Sequence, residues 1–177
     1  ATKKFENART QTARFLGCNN ADTIAFTQGT TASINIVAQS FLAPRLQVGD
    51  NIVTTIMEHH ANFIPWQMLA KKYQIELRIA PMNKDGDLDL IELKSLIDHK
   101  TQLLAVSHVS NTLGTIHPLD EITRLAKNKE IPILIDAAQS ACHFEIGVDS
   151  LNCDFLTFSG HKMFGPFGVG ILQVSEK

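Results

Sequence analysis

The residue whose chemistry stands out first is Lys162, which lies between an apolar run and a glycine-rich segment. Ser159, Gly160 and His161 separate it from the run 155–158, and residues 163–170 contain three glycines and no acidic residue. A lysine that is desolvated without a negative partner loses its proton more easily and becomes a nucleophile for carbonyl groups. The alternative is an ordinary surface lysine in a loop.

An aspartate closes the most apolar of the candidate strands. Asp136 directly follows Pro-Ile-Leu-Ile at 132–135. A carboxylate at the edge of such a run is partly desolvated, which is costly unless a cation or a hydrogen-bond donor pairs with it. A Mg²⁺ ion and a cationic ring nitrogen are both suitable partners.

Hydroxyl groups precede a candidate helix near the start of the chain. Gly29, Thr30 and Thr31 follow the run 24–27. Free backbone N–H groups, two threonine hydroxyls and the positive end of a helix dipole would suit an anion such as phosphate. The alternative is an ordinary helix N-cap in which Thr30 or Thr31 is the capping residue. The segment is not a Walker A loop.

Histidines and an amide follow two further strand candidates. His59 and His60 follow the run 51–55, but no ligand set that combines them with His108 and His143 has a recognised spacing, so no metal is predicted. A histidine could instead stack on an aromatic cofactor, or belong to a polar loop at a helix start. Asn111, after the run 103–108, could contact a ligand through its amide or serve as a turn residue.

Alternating apolar runs and amphipathic segments must position these residues. We predict strands over 24–27, 51–55, 76–81, 103–108, 132–136, 155–159 and 168–174, and helices over 31–42, 61–72, 88–97 and 118–129. Most strands are continuous apolar runs, which is typical of strands buried on both faces. The alternation predicts one α/β domain, a doubly wound parallel sheet covered by helices on both sides. In such sheets ligands bind beyond the carboxyl ends of the strands.

Composition excludes several classes of protein. The 177 residues are 44% hydrophobic, and their formal net charge is −2 at pH 7, which provides no basic field for nucleic acid. No apolar run is long enough for a transmembrane helix, so no membrane partner is expected. Three widely spaced cysteines favour a reducing, cytoplasmic setting over a disulfide framework. The chain enters a helical pattern at once without the apolar stretch of a signal peptide, so we expect the start of the protein to lie elsewhere.

The residues at five strand ends suit different parts of one ligand. Hydroxyl donors for a phosphate, a ring for stacking, an amide, a carboxylate and a nucleophilic lysine together describe a site for pyridoxal 5'-phosphate.

Five motifs support this interpretation through a family resemblance. They are TQGTT at 27–31, EHHAN at 58–62, VSNTLGT at 109–115, DAAQ at 136–139 and SGHK at 159–162. In this order they resemble the motifs of class V pyridoxal-phosphate enzymes, and more narrowly those of cysteine desulfurases and selenocysteine lyases. The sequence departs from the pattern at Gln28, Ala32 and Phe167.

The resemblance implies a role for each motif. The catalytic residues would be Lys162, which would bind the cofactor covalently, His59, which would lie over its ring, and Asp136, which would pair with its protonated ring nitrogen. The other cofactor-binding residues would be Gln139 and Asn111 near the phenolic oxygen, with Asn111 alternatively serving the substrate carboxylate, and Thr30, Thr31, Ser159 and His161 at the phosphate.

The resemblance also implies a fold and a reaction. The fold would be fold type I, a three-layer α/β/α sandwich with a mostly parallel seven-stranded sheet. The reaction would remove sulfur from L-cysteine, leaving alanine and an enzyme persulfide for iron–sulfur cluster assembly. The full enzyme would be a cytoplasmic homodimer that passes sulfur to an acceptor protein.

Residues 1–177 would then be the large cofactor-binding domain, without an N-terminal segment and a C-terminal small domain. We expect the nucleophilic cysteine and the substrate-binding arginine in that small domain, so Cys18, Cys142 and Cys153 are not predicted to be catalytic. The alternatives are a selenocysteine lyase acting on L-selenocysteine, a kynureninase-like lyase, an aminotransferase, or a non-catalytic domain that binds the cofactor.

Overall fold

The computed structural model of the protein describes residues 1–176. Its backbone is organised around one seven-stranded sheet. The strands are β1 Ile24–Thr27, β2 Asn51–Thr55, β3 Glu76–Ala80, β4 Thr101–Ser107, β5 Ile133–Asp136, β6 Phe155–Ser159 and β7 Gly170–Val174. Their order across the sheet is β1-β7-β6-β5-β4-β2-β3. Only β7 runs antiparallel to its neighbours, so the other six strands end at the same edge.

Helices cover both faces of this sheet. They are α1 Thr2–Phe15, α2 Thr30–Ile36, α3 Ile64–Tyr73, α4 Leu90–Leu96, α5 Leu119–Asn128 and α6 Val148–Leu151. None of these described helices is long and apolar enough to cross a membrane.

Successive residues of the central strands pack into two separate cores. In β4, Leu103 and Ala105 join the core that contains Trp66 of α3, whereas Leu104 and Val106 join the core that contains Ile122 of α5. This follows from the period of two in a strand, because alternate side chains point to opposite faces. The three-layer α/β/α architecture expected from the sequence is therefore confirmed.

The observed elements follow the predicted order, with corrections at some boundaries. β1, β2 and β6 have the predicted limits. The helix predicted over 31–42 is wrong in its second half, because the chain widens into a π-helical segment, Val37–Leu42, before Pro44. The helix predicted from residue 61 begins at Ile64, since His60–Asn62 forms a 3₁₀ turn. The short α6 was not predicted.

Two glycines let the first strand's loop pack against the last strand. A Cβ atom on Gly170 would lie 2.3 Å from the Cα of Gly29, and Gly29 itself has a φ of 130°. Gly29 directly precedes Thr30, so this backbone contact fixes where α2 begins.

We predict that Gly170→Ala lowers the free energy of unfolding by more than about 2 kcal/mol, because the clash is with backbone atoms that cannot rotate away. Gly168→Ala is the matched control: its φ is 78° and no atom lies within 4 Å of the added Cβ. That substitution should cost only the conformational strain, about 1–2 kcal/mol. Urea unfolding of both variants tests this, and an equal loss in the two would contradict the steric explanation.

Candidate active site

One pocket at the carboxyl edge of the sheet collects every residue predicted for the site. Its volume is about 200 Å³. The predicted residues that line it are Thr30, Thr31, His59, Asn111, Asp136, Gln139, Ser159, His161 and Lys162. They come from the ends of β1, β2, β4, β5 and β6, as expected for ligand binding in an α/β sheet.

The floor of the pocket is formed by its most buried polar side chains. Thr30, Ser107, Asp136 and Ser159 are each only 5–6% exposed. The Oγ of Ser159 accepts a hydrogen bond from the backbone N–H of Thr30 at 2.9 Å, and it lies 2.8 Å from the hydroxyl of Thr30. This pairing joins the start of α2 to the end of β6 and places two hydroxyl groups together.

The carboxylate of Asp136 has little to compensate for its burial. One oxygen accepts a 2.9 Å hydrogen bond from the N–H of Ala138. Burial raises the pKa of Asp136 to about 6, although the N–H of Ala138 and the charge of Lys162 both lower it. A positively charged group beside this carboxylate would stabilise its ionised form.

A tight loop delivers Lys162 to the same pocket. The lysine lies in a 3₁₀ turn, Gly160–Met163, that follows β6 directly. The N–H of Gly160 donates to the carbonyl of Val169 at 2.8 Å, and the N–H of Gly165 donates to the carbonyl of Gly160 at 2.9 Å. A Cβ on Gly165 would lie 2.9 Å from that same carbonyl oxygen, which explains the glycine.

Lys162 is half-buried. It has no acidic neighbour in the sequence, but an acidic group lies near it in the fold. Its charge lowers the pKa of Asp136, a residue 26 positions earlier in the chain that faces the same pocket. The residues next to Lys162 in the sequence do not show this neighbour; the ligand predicted to bind both side chains is what placed them in one site.

His59 lies at the mouth of the pocket as a neutral imidazole. Its Nδ1 accepts a 3.1 Å hydrogen bond from the N–H of Ala61, which leaves the proton on Nε2. Burial, the charge of Lys162 and the proximity of His60 all lower the pKa of His59. His60 does not line the pocket, and residues 1–176 contain no group of three His, Cys, Asp or Glu placed to hold a metal ion.

The remaining predicted residues surround the opening. Thr31, Asn111 and His161 are exposed, and Gln139 is half-buried. The ring of His161 stacks on Phe167 with centroids 4.9 Å apart and an interplanar angle of 16°. An exposed phenylalanine, at a position where the sequence departs from the family pattern, therefore restrains one of the predicted phosphate ligands.

Two polar residues at the site were missed in the sequence. Ser107 ends β4 and lines the pocket, and Glu58 binds Ser107 through its carboxylate. Glu58 directly follows an apolar run and Ser107 ends one, which is the same pattern that identified Asp136. None of the cysteines of the described residues, Cys18, Cys142 and Cys153, lines this pocket.

The fold and the site together define a class of protein. The sheet carries an amine, a buried carboxylate, an imidazole and clustered hydroxyl groups at one edge, and the aminotransferase class-V family matches residues 1–177. The chain belongs to the class-V aminotransferase family.

Proteins similar to this chain include cysteine desulfurases. The chain is 47% identical over 176 residues to a cysteine desulfurase of Salmonella gallinarum and 48% identical to one of Escherichia coli, and it covers 99% of its own length and 43% of theirs. It superposes on the crystal structure of the Escherichia coli cysteine desulfurase CsdA with a TM-score of 0.94, at 38% identity over 98% of this chain and 44% of that one. The apo cysteine desulfurase of Thermococcus onnurineus gives a TM-score of 0.94 at 43% identity, over 99% of this chain and 43% of that one.

We predict that Asp136→Asn stabilises the ligand-free protein at pH 8 and has little effect near pH 4. Because the folded-state pKa of Asp136 is raised, its contribution to stability is fully present below its ordinary pKa and is lost as the pH rises through about 6. Asparagine stays neutral and can keep the hydrogen bond from Ala138, so the variant avoids this loss of about 1–3 kcal/mol.

Urea unfolding of the two proteins between pH 4 and pH 8 measures the effect. A difference between them that does not change with pH would show that burial of the charge is not its cause.

Proposed function

We propose that residues 1–177 form the pyridoxal-phosphate-binding domain of a cysteine desulfurase. The observation that carries this proposal is the single pocket that unites Lys162, Asp136 and His59 with the hydroxyls of Thr30 and Ser159. The similarity to cysteine desulfurases along the whole chain supports the reaction.

The chemistry of the pocket fits the proposed cofactor. Asp136 is a buried carboxylate whose pKa stays raised despite the charge of Lys162, and a protonated ring nitrogen would add a second cation beside it. Thr30, Thr31, Ser159 and His161 supply donors for a phosphate group. Lys162 supplies the amine through which this cofactor is held in proteins.

The other side chains would orient the bound ring. His59, neutral and at the mouth of the pocket, would lie against its face. Gln139 and Asn111 would donate hydrogen bonds to its phenolic oxygen, with Asn111 alternatively bonding the substrate carboxylate.

Lys162 and Asp136 would divide the work of the reaction. Pyridoxal phosphate, when bound, supplies a cationic ring that withdraws electrons from the bonds at the α-carbon of an amino acid. The amine of Lys162 would accept the proton from that carbon as a general base. Asp136 would keep the ring nitrogen protonated, and an ionised carboxylate acts strongly in a site from which water is largely excluded.

Sulfur removal requires two groups that line no part of this pocket. No cysteine or arginine of residues 1–176 is among its lining residues, and the chain spans 43% of the length of the curated relatives. We propose that the nucleophilic thiol and the arginine for the substrate carboxylate come from sequence corresponding to the rest of those relatives. The whole enzyme would act in the cytoplasm as a homodimer and pass its persulfide sulfur to an acceptor protein for iron–sulfur cluster assembly.

We predict that the full-length gene product, mixed with pyridoxal phosphate, develops the visible absorbance band of a lysine-bound cofactor. Lys162→Ala should abolish this band, because no other lysine lines the pocket within residues 1–176. Lys71→Ala, at an exposed position on α3, should leave it unchanged. Absorbance spectra of the three proteins make the measurement, and a band that survives in Lys162→Ala would exclude the assignment.

The reaction is tested with the same full-length protein. We expect L-cysteine to yield equal amounts of alanine and of sulfide released by a thiol reductant, and Lys162→Ala to yield neither. Turnover of L-selenocysteine or L-kynurenine without turnover of L-cysteine would keep the cofactor site and replace the proposed substrate.

A further inference from the structure

The carboxylate of Glu58 joins three parts of the chain beside the pocket. Its Oε1 accepts hydrogen bonds from the hydroxyl of Thr55 at 2.7 Å, the backbone N–H of Ser107 at 2.9 Å and the hydroxyl of Ser107 at 3.2 Å. Its Oε2 accepts from the Nδ2 of Asn62 at 2.6 Å. These donors lie at the end of β2, at the end of β4 and in the turn His60–Asn62.

The amide of Asn62 can present only a donor to Glu58. The indole N–H of Trp66 donates to the Oδ1 of Asn62 at 3.1 Å, and both of these side chains are completely buried. This bond fixes the orientation of the amide, so Nδ2 points to Glu58. The backbone N–H of Ser107 is likewise a fixed donor, and each carboxylate oxygen therefore faces a donor that cannot be reversed.

These hydrogen bonds hold the turn that begins directly after His59, which we call the turn that carries His59. Thr55 precedes His59 and Asn62 follows it, and both are bound to the same carboxylate. Within residues 1–176, the side chain of His59 makes one hydrogen bond, the local one from the N–H of Ala61. Ser107 is the register partner of Asp136 in the sheet, so the carboxylate ties the turn to the strand beside the pocket floor.

We propose that Glu58 is a positioning residue of the proposed cofactor site: its carboxylate holds the turn that carries His59 against the end of β4, next to Asp136. The proposal rests on the proposed function for what His59 contacts. The hydrogen bonds of Glu58 that hold the turn do not depend on that function.

The electrostatics of Glu58 agree with this placement. Burial raises its pKa to about 7, although hydrogen bonds from Ser107, Thr55 and Asn62 lower it, and the negative charge of Asp136 raises it further. Asp136, on β5, is the charged group that acts on Glu58 across the pocket floor. The four hydrogen bonds that the carboxylate accepts offset part of this cost.

We predict that Glu58→Gln releases the turn. Its amide has the same size, but its NH₂ group must face either the N–H of Ser107 or the NH₂ of Asn62, and neither can accept. In the paired variant Glu58→Gln with Asn62→Asp, the new amide donates to the new carboxylate, whose other oxygen still accepts from Trp66. The paired variant therefore restores every hydrogen bond, and Glu121→Gln, at an exposed position of α5, is the matched control.

The titration of the His59 imidazole, followed by NMR, is the readout that needs no cofactor. Burial and Lys162 lower the pKa of His59, so release of the turn should raise its midpoint toward the ordinary histidine value. If the Glu58 charge were lost but the turn were not released, the midpoint of the His59 titration would fall instead. The paired variant and the control should titrate like the parent protein.

The dissociation constant of pyridoxal phosphate in the full-length protein is the second readout. We expect about a tenfold increase in Glu58→Gln, the size of effect that one or two lost hydrogen bonds produce, and parent-like binding in the paired variant. If Glu58→Gln does not fold, Glu58→Asp replaces it, since that side chain is too short to reach both Asn62 and Ser107.

An unchanged or lowered His59 midpoint in the single variant, or a paired variant that fails to fold or to titrate like the parent, would overturn the proposal. If the parent protein binds no pyridoxal phosphate, the proposed function fails, and the His59 titration still decides the role of Glu58.

Discussion

The buried carboxylate at the end of β5 is the constraint around which the site is built. Asp136 is 5% exposed, and among the described residues one hydrogen bond reaches its carboxylate, from the N–H of Ala138. Removing a charge from water costs several kcal/mol unless other groups replace the lost hydration. Lys162 offsets part of this cost, and the remainder makes the pocket favour a ligand that brings a positive charge to this position. The buried carboxylate of Asp136 thus lowers the stability of the folded protein and also favours the binding of a cationic ligand.

The mostly parallel sheet delivers the groups that surround this carboxylate. Six strands end at one edge, so residues as distant in sequence as Thr30 and Lys162 line one small pocket. Close backbone packing of Gly29 on Gly170 and the register of Ser107 with Asp136 set the relative heights of these strand ends. Glu58 adds the turn after β2 to the same arrangement through four hydrogen bonds. The geometry of the site is therefore a consequence of backbone packing more than of its own side chains.

The sequence predicted the strands and the polar residues that follow them, because both are local properties. Continuous apolar runs identified most of the strands, and Asp136 was recognised by the contrast with the run that it closes. That these residues share one site was also predicted, but the direct contacts between them were not, since those depend on which strands are neighbours. The hydrogen bonds between Thr30 and Ser159 and the effect of Lys162 on Asp136 belong to this group. The π-helical segment Val37–Leu42 was also missed, because apolar periodicity over six residues does not separate it from an α-helix.

The position of β1 at the sheet edge, paired only with β7, determines the order in which the site can be completed during synthesis. The first strand and α2 leave the ribosome early, but Thr30 bonds a serine 129 residues later, and Ser33 bonds a carbonyl 138 residues later. Strands β2 to β6 can associate earlier through shorter loops, which leaves β6 with unpaired backbone groups until β7 arrives. The hydroxyl side of the pocket is thus the last part of the pocket that can form, and until then the open edge of β6 is exposed to non-native pairing.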